Sequence, residues 1–147
     1  MKKTLLILLA GILAVAFSAC KNEKEETLKQ LQAEVESINA ECPMQVDEIT
    51  TWKSFGIEDG NIVYSYTVSS VDGFSDEEFA NELLKNIDGL KEQNYTALKE
   101  QYNTDADVHT AMSLVKKAEM GIIYRYTMAE TGRSINVVLT PEEVSAL

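Results

Sequence analysis

The chain has 147 residues with 24 acidic and 13 basic side chains, so its formal net charge is −11 at pH 7. This length fits a single domain with a modest core and a short additional segment. The surplus of negative charge argues against nucleic acid or an anionic membrane surface as the partner, because both would be repelled. A cationic partner is compatible with the charge, and so is a simple contribution to solubility.

The first residues have the pattern of a cleaved export signal. Lys2 and Lys3 form a basic start, and residues 5–17 form an apolar run. That run is too short to span the roughly 30 Å apolar core of a bilayer as a lasting helix. We therefore predict that residues 1–19 are removed. Two of the 13 basic residues leave with them, so 11 remain against 24 acidic ones, a formal charge of −13.

A cysteine stands directly after the small residues that end this signal. Ser18 and Ala19 precede Cys20. This order resembles the lipobox of bacterial lipoproteins, with Phe17 where leucine is commoner. The resemblance implies that the Cys20 thiol carries a diacylglycerol, and two or three acyl chains anchor a protein stably, since each buried CH₂ contributes about 0.8 kcal/mol. The alternative is an ordinary secretory signal in which the cysteine is incidental.

Residues 20–26 are predicted to form an acidic tether between the lipid and the domain. Two interpretations of this stretch stay open. One is a solvated spacer. The other rests on Cys20 and Lys21 followed by acidic residues, which resembles the surface-export signal of Bacteroidetes lipoproteins. The predicted location is the outer membrane of a Gram-negative bacterium, lipid-anchored, with the domain either periplasmic or surface-exposed.

A helix is predicted at the start of the domain, which spans residues 27–147. Apolar residues recur at spacings of three and four from Leu28 to Ile38, which predicts a helix over residues 23–41. Its apolar stripe lasts barely two heptads, so docking onto its own domain is favoured over self-association. Residues 43–48 form a connector to the first strand.

A β-hairpin follows the connector. Its strands are predicted over residues 49–57 and 62–69, because the second alternates apolar and polar side chains and the first is rich in residues suited to a pleated surface. The turn over residues 58–61 contains Asp59 and Gly60, which tolerate positive φ.

Two or three helices are predicted after this hairpin. Ser75 and Glu78 form a capping box at the start of the first helix, which either breaks at Gly89 or runs through it. Residues 104–107 can cap another helix, and Gly121 is expected to end it.

The chain closes with a second hairpin. Its strands are predicted over residues 122–128 and 133–140, with a turn at residues 130–132 between them and a short turn at residues 141–143 after them. Runs of strands separated by runs of helices are typical of α+β domains. We therefore predict an α+β fold with an N-terminal helix, a β-hairpin, two or three helices and a β-hairpin. The expected sheet has four strands, is mainly antiparallel and carries helices on one face.

Three short motifs resemble those of small, Bacteroidetes-type envelope lipoproteins. They are Pro43-Met44-x-Val46-Asp47-Glu48-x-Thr50 before a strand, Tyr-x-Tyr-Thr in the first hairpin and Gly-x-x-Tyr-x-Tyr in the second. The resemblance covers residues 42–141 and implies an uncharacterised α+β domain with no assigned activity. Members of that group often carry cysteines in the last helices and near the C-terminus. This chain has none there, so the resemblance implies no disulfide.

No spacing in the sequence predicts a catalytic set, a metal site or a cofactor. A glycine-rich phosphate loop, a His-Glu-x-x-His motif and a Cys-x-x-Cys pair are absent. With Cys20 lipidated, Cys42 stands alone, and His109, the single histidine, is distant in sequence. The neighbouring acids Asp47 and Glu48 would point to opposite faces of a strand and not converge on one substrate. We therefore predict a protein that is not an enzyme.

Four tyrosines remain as candidate binding residues. Tyr64 and Tyr66 of the first hairpin match Tyr124 and Tyr126 of the second, and all four are expected on neighbouring strands facing one side. Aromatic side chains with one polar tip suit a protein interface, and they suit a sheet core equally well. Both alternatives stay open at this point.

The predicted lipid anchor, the negative charge and the lack of a recognisable catalytic motif together favour a lipid-anchored binding protein of the cell envelope. Its predicted partners are the membrane, through the lipid on Cys20, and an envelope protein. Two other functions remain as alternatives. One is carriage of a small apolar ligand or lipid between the sheet and the helices. The other is anchored inhibition of a cationic hydrolase, whose binding would weaken at high salt because exposed charges are screened.

Overall fold

The computed structural model describes residues 22–147, so the predicted signal, the lipobox and Cys20 lie outside the described residues. Residues 22–39 are helical and are called α1 here. The elements after it are β1 (Met44–Gln45), β2 (Thr50–Glu58), β3 (Asn61–Val68), α2 (Asp76–Lys85), α3 (Ile87–Thr104), α4 (Ala106–Lys117), β4 (Gly121–Met128), β5 (Ser134–Leu139) and α5 (Pro141–Ser145). None of the helices described is both long and apolar enough to cross a membrane.

One mixed sheet contains the strands in the order β1-β2-β3-β4-β5. Three pairings are antiparallel, whereas β3 and β4 run parallel at the centre. A parallel pair needs a long crossover connection, and α2, α3 and α4 supply it. The α+β class is confirmed, but the predicted four strands are five. The predicted connector contains β1, in which Met44 pairs with Trp52.

The five helices found within residues 22–147 all pack against one face of the sheet. Ile62, Ile122 and Leu139, from three different strands, are fully buried on that face. The residues of α1, α3, α4 and α5 in the same core are Leu31, Val35, Leu98, Ala111, Met112, Val115 and Val144. The second helix, α2, adds Ala80, which packs with Val68 on the same side of β3. The opposite face of the sheet is therefore left uncovered by the described helices.

Two ion pairs hold Glu23 and Lys24 of α1 against the end of α4. The Lys117 Nζ lies 2.9 Å from Oε1 of Glu23, and the Lys24 Nζ lies 3.6 Å from Oε2 of Glu119. Residues 22–26 of the predicted tether are thus helical and in contact with the domain. Exposed ion pairs of this kind contribute only about 0–1 kcal/mol each, so their main effect is to position the helix.

Several element boundaries follow directly from local sequence signals. Asp59 and Gly60 have positive φ angles of 48° and 74°, as a two-residue hairpin turn with the right twist requires. The side chain of Ser75 accepts a hydrogen bond from the Glu78 amide, and the predicted capping box is confirmed. The side chain of Asp105 caps α4, as predicted.

The break between α2 and α3 falls at Asn86, three residues before Gly89. Asn86 has φ −106° and ψ 19°, outside the helical range. Its side-chain amide donates a hydrogen bond to the carbonyl oxygen of Glu82. A side chain that bonds to nearby backbone competes with regular helix, whereas Gly89 lies inside α3 without interrupting it.

The prediction that Gly121 ends α4 is wrong, because Gly121 is the first residue of β4. The last residue of α4 is Lys117, and the left-handed conformation that follows the helix belongs to Glu119, with φ 55°. Gly121 instead allows the start of β4 to pack closely against Asn61 and Leu139. A Cβ atom there would lie 2.7 Å from Oδ1 of Asn61 and 2.8 Å from the backbone oxygen of Leu139.

The predicted closing turn at residues 141–143 is the short helix α5. Thr140 and Glu143 start it with a second capping box, and proline is well suited to its first position. Val144 is fully buried in the main core, so the C-terminal segment belongs to the packed domain.

A buried carboxylate joins the start of α2 to the turn between β4 and β5. Asp76 is only 1% exposed. Its Oδ2 accepts hydrogen bonds from the backbone amides of Glu130 at 2.8 Å and Thr131 at 3.0 Å. The bond from Thr131, followed by the bond from Glu130, holds the pKa of Asp76 below its usual range. One ionised side chain thus ties the helical crossover to the second hairpin.

We expect Asp76→Ala to lower the midpoint of thermal unfolding by roughly 5 °C at pH 7, because two amides lose a charged acceptor. The pKa of Asp76 is lower in the folded than in the unfolded chain. Its stabilisation is therefore complete above the unfolded pKa of about 4 and is lost as pH falls through the folded value. The difference between wild type and variant should shrink below about pH 4. Circular dichroism melts at neutral and acidic pH measure both effects.

The matched control for this prediction is Asp72→Ala, which removes an exposed carboxylate from the loop before α2. Its midpoint should change by less than about 2 °C at either pH. Equal losses in the two variants, or a difference between Asp76→Ala and wild type that does not depend on pH, would contradict the assigned role.

Candidate functional site

The four candidate tyrosines lie together on the sheet. Tyr64 is opposite Tyr124, and Tyr66 is opposite Tyr126, in the parallel pairing of β3 with β4. The two pairs of rings stack with centroids 5.0 Å and 5.3 Å apart. All four share the side of the sheet that bears Ile62, which is the face covered by helices.

These tyrosines are part of the core packing. Tyr124 is buried, and the other three are half-buried. The Asn94 side-chain amide on α3 donates a hydrogen bond to the Tyr126 hydroxyl at 2.9 Å. Burial raises the pKa of each of the four phenols. All four tyrosines therefore pack in or against the core under the helices, and their use as a binding surface stays a prediction.

The uncovered face of the sheet is bridged by an ion pair. Arg125 on β4 and Glu58 on β2 stand on either side of β3, and the guanidinium donates two hydrogen bonds of 3.1 Å and 2.9 Å to the carboxylate. The register places Val63 between them, and Val63 is only 1% exposed. Gly56, opposite Val63, offers no side chain to obstruct the pair. The bridge therefore covers an apolar residue at the centre of this face.

A groove between α3 and α5 is the candidate binding site. It has a volume of about 590 Å³. The apolar part of its lining consists of Tyr95, Leu139 and Ala146. The charged part consists of Asp88, Lys91, Glu92, Glu142 and Glu143. An apolar floor with a mainly acidic rim distinguishes this groove from the bridged sheet face.

The local sequence explains the shape of the groove. Its lining residues on α3 are Asp88, Lys91, Glu92 and Tyr95, which recur at spacings of three and four and so share one side of the helix. The capping box at Thr140 starts α5 directly after β5 and places the acidic first turn of that helix opposite α3. The end of β5 forms the floor between the two helices.

Only part of the charge on the rim is neutralised. The Lys91 Nζ lies 2.8 Å from Oε1 of Glu143. This contact is the largest cause of the lowered pKa of Glu143. Asp88, Glu92 and Glu142 have no ion-pair partner within residues 22–147. The groove therefore combines apolar contact area with unneutralised negative charge.

A second groove, of about 670 Å³, follows the other side of α3 towards α2. Its lining includes Leu83 and Leu90, and Glu92 stands on the ridge that both grooves share. Neither groove is predicted by the sequence patterns. The only sequence signal for the groove between α3 and α5 is the pair of acidic residues, Asp88 and Glu92, four residues apart and close to Tyr95 on α3. The same pattern is also typical of an ordinary solvated helix face.

The remaining candidates from the sequence have local contacts. Cys42 is a free, partly buried thiol, and burial, followed by the charge of Glu41, raises its pKa, which disfavours the nucleophilic thiolate. His109 stacks on Tyr102 with centroids 4.3 Å apart. In the part of the chain that the structure describes, no three His, Cys, Asp or Glu side chains are grouped so as to hold a metal ion.

Comparisons with known proteins show that the fold of this chain is similar to that of two solved structures. No family model matches the chain, and no curated protein matches it. A protein from Pseudomonas aeruginosa described as secreted is similar in structure, with a TM-score of 0.60 and 11% identity, over 82% of this chain and 95% of that one. The pilotin EpsS of the Vibrio vulnificus type 2 secretion system is similar with a TM-score of 0.52 and 10% identity, over 84% of this chain and 96% of that one.

Proposed function

We propose that this chain is a lipid-anchored lipoprotein of the outer membrane that is not an enzyme and works by binding another protein. The observation that carries the proposal is the fold shared with a pilotin over 84% of this chain. That neighbour belongs to a secretion system, and the other neighbour is described as secreted. The groove between α3 and α5 supports the binding role, because it offers apolar contact area at the surface.

The anchor is tested by Cys20→Ala in the full-length chain. We expect nearly all of the protein to leave the membrane fraction and incorporation of radiolabelled fatty acid to disappear, because the thiol is the proposed attachment atom. Cys42→Ala, which removes the second cysteine, should keep both the label and the membrane association. Label retained in Cys20→Ala, or lost equally in both variants, would refute attachment at Cys20.

The binding role is tested with the full-length protein purified from detergent-solubilised envelope. Mass spectrometry would read both proteins and small molecules in the preparation. A single protein in fixed proportion to the chain is the expected result. A lipid in fixed proportion without any protein would instead support the carrier function and count against this proposal.

A further inference from the structure

We infer that the groove between α3 and α5 binds a partner segment in which an apolar side chain lies beside a lysine or arginine. The inference rests on the proposed function and names the class of partner. Two independent properties of the groove lead to it, namely its floor and the charge on its rim.

The floor of the groove suits an apolar side chain. Tyr95 is half-buried, so part of its ring remains accessible from the groove. Ala146, directly after α5, is exposed and lines the groove with a second small apolar surface. An apolar side chain placed there would release water from both surfaces, which is favourable in proportion to the apolar area covered.

The rim of the groove selects a cation. The single lysine on the rim, Lys91, is engaged by Glu143. The three other carboxylates, on Asp88, Glu92 and Glu142, have no ion-pair partner among the described residues. A lysine or arginine entering beside an apolar side chain would pair with them, and an anionic segment would be repelled.

The negative charge of the rest of the chain also favours a cationic partner. The formal net charge of −11 attracts cationic surfaces over several ångströms and raises the rate of encounter. The bridged sheet face is less suited to this role, because Arg125 and Glu58 already satisfy each other there. Of these two surfaces, only the groove therefore offers both apolar contact area and carboxylates that have no ion-pair partner among the described residues.

Site-specific photo-cross-linking in cells tests the inference on the full-length, membrane-attached protein. The probe is p-benzoylphenylalanine in place of Ala146 in the groove. A matched probe replaces Val138, which is 45% exposed on the uncovered sheet face. We expect a cross-link to one protein from position 146 and little from position 138. Mass spectrometry should place a lysine or arginine within about four residues of the cross-linked site, the reach of one helical turn.

Charge reversal separates the groove from general electrostatics. Asp88→Lys with Glu92→Lys should reduce the yield from position 146 by about tenfold or more, because both reversals repel the proposed cation. The control reverses Glu36 and Glu48, which are exposed and lie outside the groove, and so changes the net charge equally. This control should retain most of the cross-linking yield from position 146. Thermal melts of both double variants establish that each remains folded.

Each other outcome has a distinct meaning. A cross-link from position 138 alone would overturn the groove inference and leave the proposed binding function standing. Equal loss in the two double variants, an acidic cross-linked segment, or a cross-linked lipid would also overturn the inference. No cross-link from either position would also overturn the inference, whereas the proposed function fails only if no protein co-purifies with the full-length chain.

Discussion

Leu31→Ala is expected to reduce the free energy of unfolding by about 2–5 kcal/mol, which is a large share of the stability of a small domain. Leu31 lies on α1 and is only 1% exposed, in the same core as Ile122 and Leu139. Truncation removes apolar contacts and leaves a cavity that the surrounding side chains fill only in part. Urea unfolding followed by tryptophan fluorescence measures the change, since Trp52 lies beside this core.

The matched control is Leu28→Ala, one turn earlier on the same helix. Leu28 is 42% exposed, so its truncation should change the free energy of unfolding by about 0.5 kcal/mol or less. Equal effects at both positions, with an unfolding midpoint that rises with protein concentration, would show that α1 pairs with a second copy and does not dock on its own domain.

Gly121→Ala is expected to destabilise the domain by about 1–3 kcal/mol, as other overpacked sites do. The added methyl group would lie 2.8 Å from the backbone oxygen of Leu139, and a strand backbone moves less easily than a flexible side chain. The shift would disturb the start of β4, which pairs with both β3 and β5. Chemical unfolding of the purified protein gives the free-energy change.

The same substitution at Gly89 should have the opposite sign. Gly89 lies inside α3, and apart from its chain neighbours and the nearby backbone of its own helix, a Cβ atom there would meet no atom within 4 Å. Gly89→Ala should stabilise the domain by about 0.5–1 kcal/mol, because alanine loses less backbone entropy in a helix. Stabilisation in both variants would show that the close approach at Gly121 relaxes without cost.

Local chemistry made much of this fold predictable from sequence. Asp59 and Gly60 supply the positive φ of a hairpin turn, and Ser75 with Glu78 caps a helix, whatever the rest of the chain does. Gly121 was misassigned because a glycine after a helical pattern is typical of a helix end. Its actual role depends on Leu139, which lies 18 residues away in the sequence.

The candidate site was less predictable because it depends on which surfaces meet. Strand alternation and the matching hairpins place the tyrosines on one side of the sheet, but only the packing of helices decides whether that side is covered. The two-residue strand β1 is too short to leave a pattern. The groove joins α3 to α5, and neither helix alone shows the pairing of an apolar floor with acidic walls.

The ion pair between Lys24 on α1 and Glu119 bears on how the domain would be oriented at a membrane. Two residues of chain reach at most about 7 Å, so a lipid on Cys20 would hold residue 22 close to the bilayer surface. Lys24 pairs with Glu119, two residues before Gly121, and the Gly121 backbone lies against Leu139 at the groove floor. The end of β5 that lines the groove therefore lies at the same end of the sheet as Lys24, so anchoring at Cys20 would turn this end of the sheet towards the membrane.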